Sequence, residues 1–183
     1  MQRTITQAAD VSGEPLADLK SWLGISRTNE DELLIGLLRA SLDICEGFTG
    51  QMPLAQTVEE RVSPMAGCRT LASQPLVNVV SVQAIAEGGT RAELAPDSYT
   101  VTLQAAGGAS FELKRSLPDQ LVAISLVAGI AGDWQTMPGA LKQGVIRMAA
   151  YHYRDREGDG TRSSPPPASV AALWRPWRQL RLS

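Results

Sequence analysis

The hydrophobic residues of this chain change their spacing twice along the sequence. They recur at helical spacing before Gln56 and again from Pro138, whereas between Gln56 and about Ile130 they alternate with polar residues or form β-branched runs. The second pattern covers residues 57–62, 69–72, 77–86, 99–103, 111–114 and 121–127. Glycine pairs and Pro96 mark turns between these segments, and no helix-length segment separates them, which argues against parallel crossovers. The sequence therefore predicts an α+β fold, a bundle of about four helices with a β-rich antiparallel insertion between the second and third helices.

Two helices are predicted before the insertion. The first begins at Pro15, a residue that the first helical position tolerates, and ends at Gly24. The second is capped by Thr28 or Asn29 and ends at Gly50, since glycine commonly terminates helices. Its predicted apolar stripe consists of Leu33, Leu34, Leu37, Leu38, Ser41, Ile44, Cys45 and Phe48.

Two further helices are predicted after the insertion. One runs from Pro138 to about Glu157, and residues 159–167 then form a polar linker rich in glycine and proline. The last is a C-terminal docking helix that Pro176 kinks or ends near Arg175, and its apolar face carries Val170, Leu173, Trp174 and Trp177. The predicted organisation is a helical bundle from residues 1–54 and 131–160, a β-rich insertion from residues 55–130, and a linker with a C-terminal docking segment from residues 161–183.

Length and composition narrow the class of protein. A chain of 183 residues, 44% hydrophobic and 20% charged, is typical of one globular domain or of a core that carries an insertion. No apolar run approaches the roughly 20 residues of a membrane span, and residues 1–10 lack a signal-type apolar stretch, so a soluble intracellular protein is expected. Cys45 and Cys68 are too few for a zinc cluster or a disulfide framework and are expected to be small buried hydrophobes.

The formal charge of −2 is unevenly distributed along the chain. Residues 1–137 carry 9 basic and 16 acidic side chains, whereas residues 138–183 carry 8 basic and 3 acidic ones. Such a division suits subunits that stack acidic surface on basic surface, or a basic end that meets an acidic partner or nucleic acid. It equally suits a basic helix that lies beside an acidic helix within one bundle.

The sequence contains no recognisable catalytic or cofactor motif. His152 is the only histidine, and no second histidine or cysteine pair completes a metal site, so it is expected to be a packed helix residue. Residues 47–50 lack the ending of a phosphate-binding loop, and no nucleophile elbow occurs. The acidic residues 30–32 are interpreted as helix-start charge, and Glu59 and Glu60 as a solvated strand face. No enzyme activity, cofactor or metal is predicted.

The C-terminal residues 163–183 combine tryptophan and arginine with no acidic residue. Such a segment suits the surface of a protein partner, where tryptophan and arginine are favoured anchors. Nucleic acid, a membrane surface and the chain's own bundle are the competing partners, and the last is the strongest rival of docking to another protein.

Nine segments stand in a characteristic order and spacing. They are residues 16–23 (LADLKSWL), 29–34 (NEDELL), 45–50 (CEGFTG), 74–82 (QPLVNVVSV), 96–101 (PDSYTV), 127–130 (VAGI), 137–143 (MPGALKQ), 150–157 (AYHYRDRE) and 172–178 (ALWRPWR). Together they resemble the head-to-tail connector (adaptor) proteins of long-tailed bacteriophages and of phage-derived gene transfer agents. The resemblance covers nearly the whole chain and departs from the family pattern at Ile130, where an aromatic residue is usual.

The resemblance implies a structural virion protein without enzymatic activity. Such proteins assemble in the host cytoplasm as a ring, typically of twelve copies, beneath the portal protein at the head–tail interface of a phage or gene transfer agent particle. The implied partners are the portal, a downstream head-completion or tail connector protein and further copies of the chain, with DNA only as cargo in the channel and no membrane. By the same analogy the portal contact falls on the C-terminal segment, at Leu173, Trp174, Arg175, Trp177, Arg178, Leu180 and Arg181.

Two alternatives belong to other classes. A soluble module could bind a protein or ligand through its β insertion, and deletion of residues 163–183 would then leave binding intact. A small hydrolase would lose its activity on His152→Ala substitution while particle assembly persisted.

Overall fold

The structure is a computed structural model that describes residues 2–104, 107–117, 120–155 and 165–179. Within these residues it contains four α-helices and eight β-strands, and all paired strands are antiparallel, which confirms the predicted α+β class. The helices are α1 (Glu14–Leu23), α2 (Asp31–Thr49), α3 (Gly139–Asp155) and α4 (Ala168–Trp174). The strands are β1 (Gln2–Gln7), β2 (Gln56–Val62), β3 (Gly67–Thr70), β4 (Leu76–Ala86), β5 (Arg91–Glu93), β6 (Tyr99–Leu103), β7 (Ala109–Leu113) and β8 (Gln120–Ala128).

The described residues form two compact units. A β unit contains Met1–Ala8 and Ala55–Ile130, and a helical unit contains Ala9–Leu54 and Ala131–Ser183. The first strand therefore belongs to the β unit, although its residues lie within the range 1–54 that is predicted for the bundle. The sequence of β1, QRTITQ, has only one strongly apolar residue, Ile5, and the strand is held by backbone pairing to β2. A strand of this kind carries little hydrophobic signal for a sequence pattern to reveal.

The β unit contains a five-stranded sheet in the order β1-β2-β8-β4-β5 and a three-stranded sheet in the order β3-β7-β6. One face of the larger sheet supplies core residues, because side chains two apart along a strand point to the same side. Fully or almost fully buried residues of the unit include Val58, Val62, Val82, Phe111, Leu113, Val122, Ile124 and Leu126. The predicted turn glycines adopt left-handed conformations, at Gly89 between β4 and β5 and at Gly107 between β6 and β7.

The helical unit is built on three longer helices and the short α4. Helix α3 packs against α1, α2 and α4. Both predicted helix stops are confirmed, because Gly24 and Gly50 follow α1 and α2 in the left-handed conformation, with φ of 71° and 76°. The start of α2 differs from the prediction, since its N-cap residue is Glu30 and no side chain caps it.

The burial of individual side chains differs from the sequence-based predictions in three places. Leu33 is 44% exposed, whereas Ile35 and Leu42, which lie outside the predicted stripe, are buried together with Leu34 and Leu38. Cys68 is exposed on the short strand β3, whereas Cys45 is buried as expected. Burial raises the pKa of the Cys45 thiol, and the neighbouring charge of Glu46 adds to the effect, so this thiol stays protonated at neutral pH.

The third correction concerns Glu59 and Glu60, which do not form a solvated strand face. Glu60 is fully buried, and its carboxylate accepts hydrogen bonds from the backbone N–H groups of Ala72 (3.1 Å) and Ser73 (2.6 Å). Glu59 is 9% exposed and accepts two hydrogen bonds from the Arg91 guanidinium, at 2.5 and 3.2 Å. These hydrogen bonds lower the pKa of Glu59, and Arg61 contributes in the same direction.

Several predictions lie partly outside the described residues. Helix α3 is described as far as Asp155, and of the predicted linker only residues 165–167 are described. No helix in the described ranges is long and apolar enough to cross a membrane.

Candidate interaction site at the C-terminal segment

The C-terminal segment, residues 168–179, lies on the helical unit of its own chain. It consists of α4 and a single 3-10 turn at Arg175–Trp177, so the α-helix ends just before Pro176, as the sequence predicts. Val170 and Trp174 are the buried residues of α4. They stand one turn apart and therefore point to the same side of the helix.

Trp174 is the central contact of this segment. Its side chain is fully buried, and its ring centroid lies 6.1 Å from that of Phe48 on α2. The indole Nε1 donates a hydrogen bond to the backbone carbonyl of Leu141 on α3, at 3.4 Å. A buried tryptophan usually finds such a partner, because its N–H is costly to leave unpaired.

Gly144 makes room for the Trp174 ring. A Cβ atom at Gly144 would lie 2.8 Å from Cδ1 and from Cε2 of Trp174, and closer still to Nε1. A glycine in the middle of a helix ordinarily makes the helix less stable than an alanine would, by about 1 kcal/mol. The close approach of the Trp174 ring explains why a glycine stands at position 144 in spite of this cost. Residues of two helices, α2 and α3, thus form a socket for one side chain, and we call Phe48, Leu141 and Gly144 the Trp174 socket.

We expect Gly144→Ala to destabilise the helical unit by about 1–3 kcal/mol, although alanine favours helices, because the new methyl group overlaps the indole. The matched control is Gly36→Ala on α2, where a Cβ meets nothing within 4 Å and should stabilise the helix by up to about 1 kcal/mol. Denaturant unfolding of both variants measures whether the free energy of unfolding falls for Gly144→Ala and rises for Gly36→Ala. Equal stabilisation by the two substitutions would contradict the seating of Trp174 against α3.

The backbone after Trp174 is tied to the end of α2. The Gln51 side-chain Nε2 donates to the carbonyl of Trp177 at 2.5 Å, and the Gln179 N–H donates to the carbonyl of Thr49 at 2.9 Å. The second bond satisfies a carbonyl in the last turn of α2, which has no partner within its own helix. The Arg178 guanidinium lies 5.5 Å from the centroid of the Phe48 ring, within the range of a cation–π contact.

The structure divides the residues predicted for the portal contact into three groups. Trp174 is buried in its own chain, Leu173 and Trp177 are half-buried, and Arg175 and Arg178 are exposed. Leu180 and Arg181 lie outside the described residues. In this arrangement an approaching protein meets the two arginines and the exposed parts of Leu173 and Trp177. A portal contact by any of these residues stays a prediction.

A basic groove beside α4 was not anticipated from the sequence. It has a volume of about 320 Å³ and is lined by Trp22, Arg147, Tyr151, Arg154, Pro167, Ser169 and Val170. The Arg147 guanidinium lies 5.8 Å from the centroid of the Trp22 ring, and both Trp22 (45%) and Tyr151 (38%) are exposed. Within the described residues neither Arg147 nor Arg154 forms an ion pair with a carboxylate. The spacing of the two arginines on α3 was visible in the sequence, but their position next to Trp22 depends on how α1 packs.

Several other polar residues of the helical unit join its helices to one another. The Tyr153 hydroxyl donates to Glu30 at 2.8 Å, and Lys20 pairs with Asp31 at 2.7 Å, so the acidic start of α2 joins it to α3 and α1. His152 is half-buried beside the Tyr151 ring, and its Nε2 has no hydrogen-bond partner among the described residues. No group of three or more potential metal ligands occurs in the part of the chain that the structure describes.

Comparison with known proteins identifies structural neighbours. No protein-family model matches the chain, and no curated protein matches it. Among solved structures, a chain from the neck of an empty gene transfer agent particle, computed with C6 symmetry, has a TM-score of 0.80 and 23% sequence identity. A chain from the virion of a native gene transfer agent particle has a TM-score of 0.77, and one from the neck of the native particle, computed with C12 symmetry, has 0.76, each at 24% identity. All three matches cover 100% of this chain and 98% of the other. The chain therefore has the fold of these gene transfer agent proteins over its whole length.

Proposed function

We propose that this protein is a structural virion protein, a head-tail connector adaptor that forms a ring between the portal and the tail-side connector proteins. The observation that carries the proposal is the full-length structural match to chains of gene transfer agent necks and virions. The particle is a gene transfer agent or a long-tailed phage, and the protein occupies its head–tail interface. The function requires assembly and no chemistry, with DNA passing through the ring only as cargo.

The ring is proposed to contain twelve copies. Two of the structural neighbours come from necks computed with C6 and C12 symmetry, and both symmetries are compatible with a dodecamer. A ring of identical subunits needs two different faces on each copy that complement each other, because only a head-to-tail contact closes into a ring of more than two.

The portal contact is proposed to lie on the exposed side of the C-terminal segment. Trp174 would stay in its socket and hold the segment in position, while Arg175, Trp177 and Arg178 meet the portal. The basic groove lies beside the start of α4, and its Arg147 and Arg154 add positive charge to the helical unit. Guanidinium groups form bidentate hydrogen bonds with carboxylates, so the matching portal surface should be acidic.

Charge reversal tests this contact directly. The variant Arg175→Glu/Arg178→Glu is expected to weaken binding to the purified portal by roughly tenfold or more, because it places like charges across the interface. The matched control is Arg27→Glu/Arg39→Glu, which makes the same change in net charge at two exposed positions elsewhere in the helical unit. Binding is measured by native mass spectrometry and by salt-dependent titration of the full chain with the portal.

Two results would count against the proposal. Equal loss in both variants would indicate a general charge effect and would remove the C-terminal segment from the contact. A strict monomer that never associates with portal at any concentration would overturn the adaptor function itself.

A further inference from the structure

The five-stranded sheet has one long edge without a strand partner. Strand β8 pairs with β4 from Leu76 to Ala86, but on its other side β4 pairs only with the short β5, at Gln83–Ile85. The Leu94 N–H also donates to the carbonyl of Val82. From Val77 to Ser81, no described strand pairs with the second side of β4.

This open edge has an unusual composition. None of the eleven residues of β4 is charged, and Val77 (61%) and Val80 (57%) are among the most exposed large hydrophobic residues. These two valines are skipped in the register with β8, so they mark two β-bulges in β4. Sheet edges that face solvent are normally protected by charged residues, proline or β-bulges, because open edges pair with other chains. This edge has the bulges but no charged residue and no proline, and its exposed valines favour contact with a partner strand.

The opposite edge of the same sheet offers a strand that fits. Strand β1 pairs with β2 on one side only, and five of its six residues are exposed. Its length of six residues is close to that of the open part of β4. Its one charged residue is Arg3, and it contains no proline that would remove a backbone N–H.

From these observations we infer that, in the ring, the outer edge of β1 of one copy pairs with the open edge of β4 of the next copy. The β-sheet would then continue from subunit to subunit. The inference rests on the proposed function, because it supposes that the copies form a ring.

The strand directions allow this pairing without turning the sheet over. Each strand in the row β1, β2, β8, β4 runs antiparallel to the one before, so β1 and β4 run in opposite directions. A second copy in the same orientation therefore brings its β1 to β4 as an antiparallel partner. The repeat is head to tail and uses two different edges, as ring closure requires.

The repeat distance is compatible with a wide ring. Four strands per copy at a spacing of about 4.8 Å give a repeat of about 19 Å. Twelve such repeats, with the strands parallel to the ring axis, correspond to a radius of about 37 Å for the sheet.

The register of the sheet indicates which residues would meet. Thr4 lies in one row with Glu59 of β2, Ser125 of β8 and Ser81 of β4, so these side chains share a face. An unshifted sheet would bring Thr4 of one copy opposite Ser81 of the next, but it would also place Gln2 and Arg3 opposite Gln83 and Val82, whose outer side β5 and Leu94 already occupy. A shifted register is therefore favoured. Asn78 lies in the same register row as Gln7 and Thr57, two rows from that of Thr4. A shift of two rows towards the N-terminal end of β4 keeps each side chain on its face of the sheet and would bring Thr4 opposite Asn78.

Cysteine cross-linking of the assembled ring tests this pairing. In a Cys68→Ser background, which removes the exposed native thiol, we combine Thr4→Cys with Ser81→Cys and, separately, with Asn78→Cys. Mild oxidation should produce a ladder of covalent oligomers on a non-reducing gel for at least one pair. The matched controls are each single substitution and the pair Thr4→Cys/Val79→Cys, whose side chains lie on opposite faces; these should give no ladder.

A second variant needs no assumption about register. Val77→Lys/Val80→Lys adds the charges that normally protect an edge, at two exposed positions, and should abolish ring formation while the subunit keeps its melting temperature. Leu103→Lys on β6, at a residue that is 68% exposed, is the control and should leave the ring intact.

The outcomes separate the inference from the proposed function. Rings that form normally in the double lysine variant, with no ladder from either cysteine pair, would overturn the shared sheet and leave the adaptor function standing. A wild-type chain that forms no ring with or without portal would overturn both.

Discussion

Replacing Trp174 by alanine is expected to destabilise the helical unit by about 3–5 kcal/mol, the range for truncation of a fully buried aromatic residue. The substitution removes the packing against Phe48 and the hydrogen bond to the Leu141 carbonyl, and it leaves a cavity beside Gly144. Since Trp174 and Val170 are the buried residues of α4, the C-terminal segment should detach from the bundle. Denaturant unfolding measures the loss of free energy, and limited proteolysis within residues 165–179 measures detachment.

The control for Trp174→Ala is Trp177→Ala, three residues away in the same segment. Trp177 is half-buried and its described hydrogen bond uses the backbone carbonyl, which alanine retains, so the loss should be well under half as large. If Trp174→Ala and Trp177→Ala had equal effects on stability, Trp174 would not be the residue that holds the segment. If Trp174→Ala left stability unchanged and only portal binding were lost, the tryptophan would act as the inserted anchor that its sequence context first suggested.

The second large effect is expected for Glu60→Ala in the β unit. The substitution removes the acceptor of one buried and one partly buried hydrogen bond and leaves the N–H groups of Ser73 and Ala72 without that partner. Each unsatisfied buried group costs about 1–3 kcal/mol, so a total loss of about 2–5 kcal/mol is expected. Amide hydrogen exchange at residues 72 and 73 should accelerate together with the loss of stability.

Two comparisons make the Glu60 prediction specific. Glu112→Ala removes an exposed carboxylate from β7 and should change stability by less than about 0.5 kcal/mol. Glu60→Gln keeps one carbonyl acceptor and adds an NH2 group that faces other donors, so it should lie between the wild type and Glu60→Ala. A Glu60→Ala variant as stable as Glu112→Ala would show that the carboxylate does not support the loop at residues 72–73.

The sequence-based predictions that the structure confirms concern features that a few neighbouring residues determine. Gly24 and Gly50 end their helices because the backbone adopts a left-handed conformation there, which glycine alone accepts without strain. The change of hydrophobic period at Gln56 and Pro138 separates strands from helices for a similar reason, since the spacing of side chains follows directly from the geometry of each element. The resemblance to connector proteins rests on the order and spacing of nine sequence segments, and the full-length match in fold to gene transfer agent chains agrees with it.

The tertiary structure decided the features that depend on residues far apart in the chain. Strand β1 forms because β2 offers it an edge, although its own sequence has almost no hydrophobic signal. Glu60 is buried because the loop at Ala72 and Ser73 turns its N–H groups towards the carboxylate, and a sequence pattern shows only two adjacent acidic residues.

The C-terminal segment shows most clearly which features the local sequence determines and which depend on the tertiary structure. The sequence determined by itself that residues 168–174 form a short helix with a tryptophan on its apolar face and that Pro176 ends it, because helix propensity and proline geometry act within a few residues. The sequence near Trp174 does not decide whether this side chain packs on the chain's own bundle or on another protein. That depends on Gly144, 30 residues earlier in the chain, where the absence of a Cβ atom leaves room for the ring. Apolar burial has no preferred direction, so only the shape of the surrounding structure could decide which surface Trp174 covers.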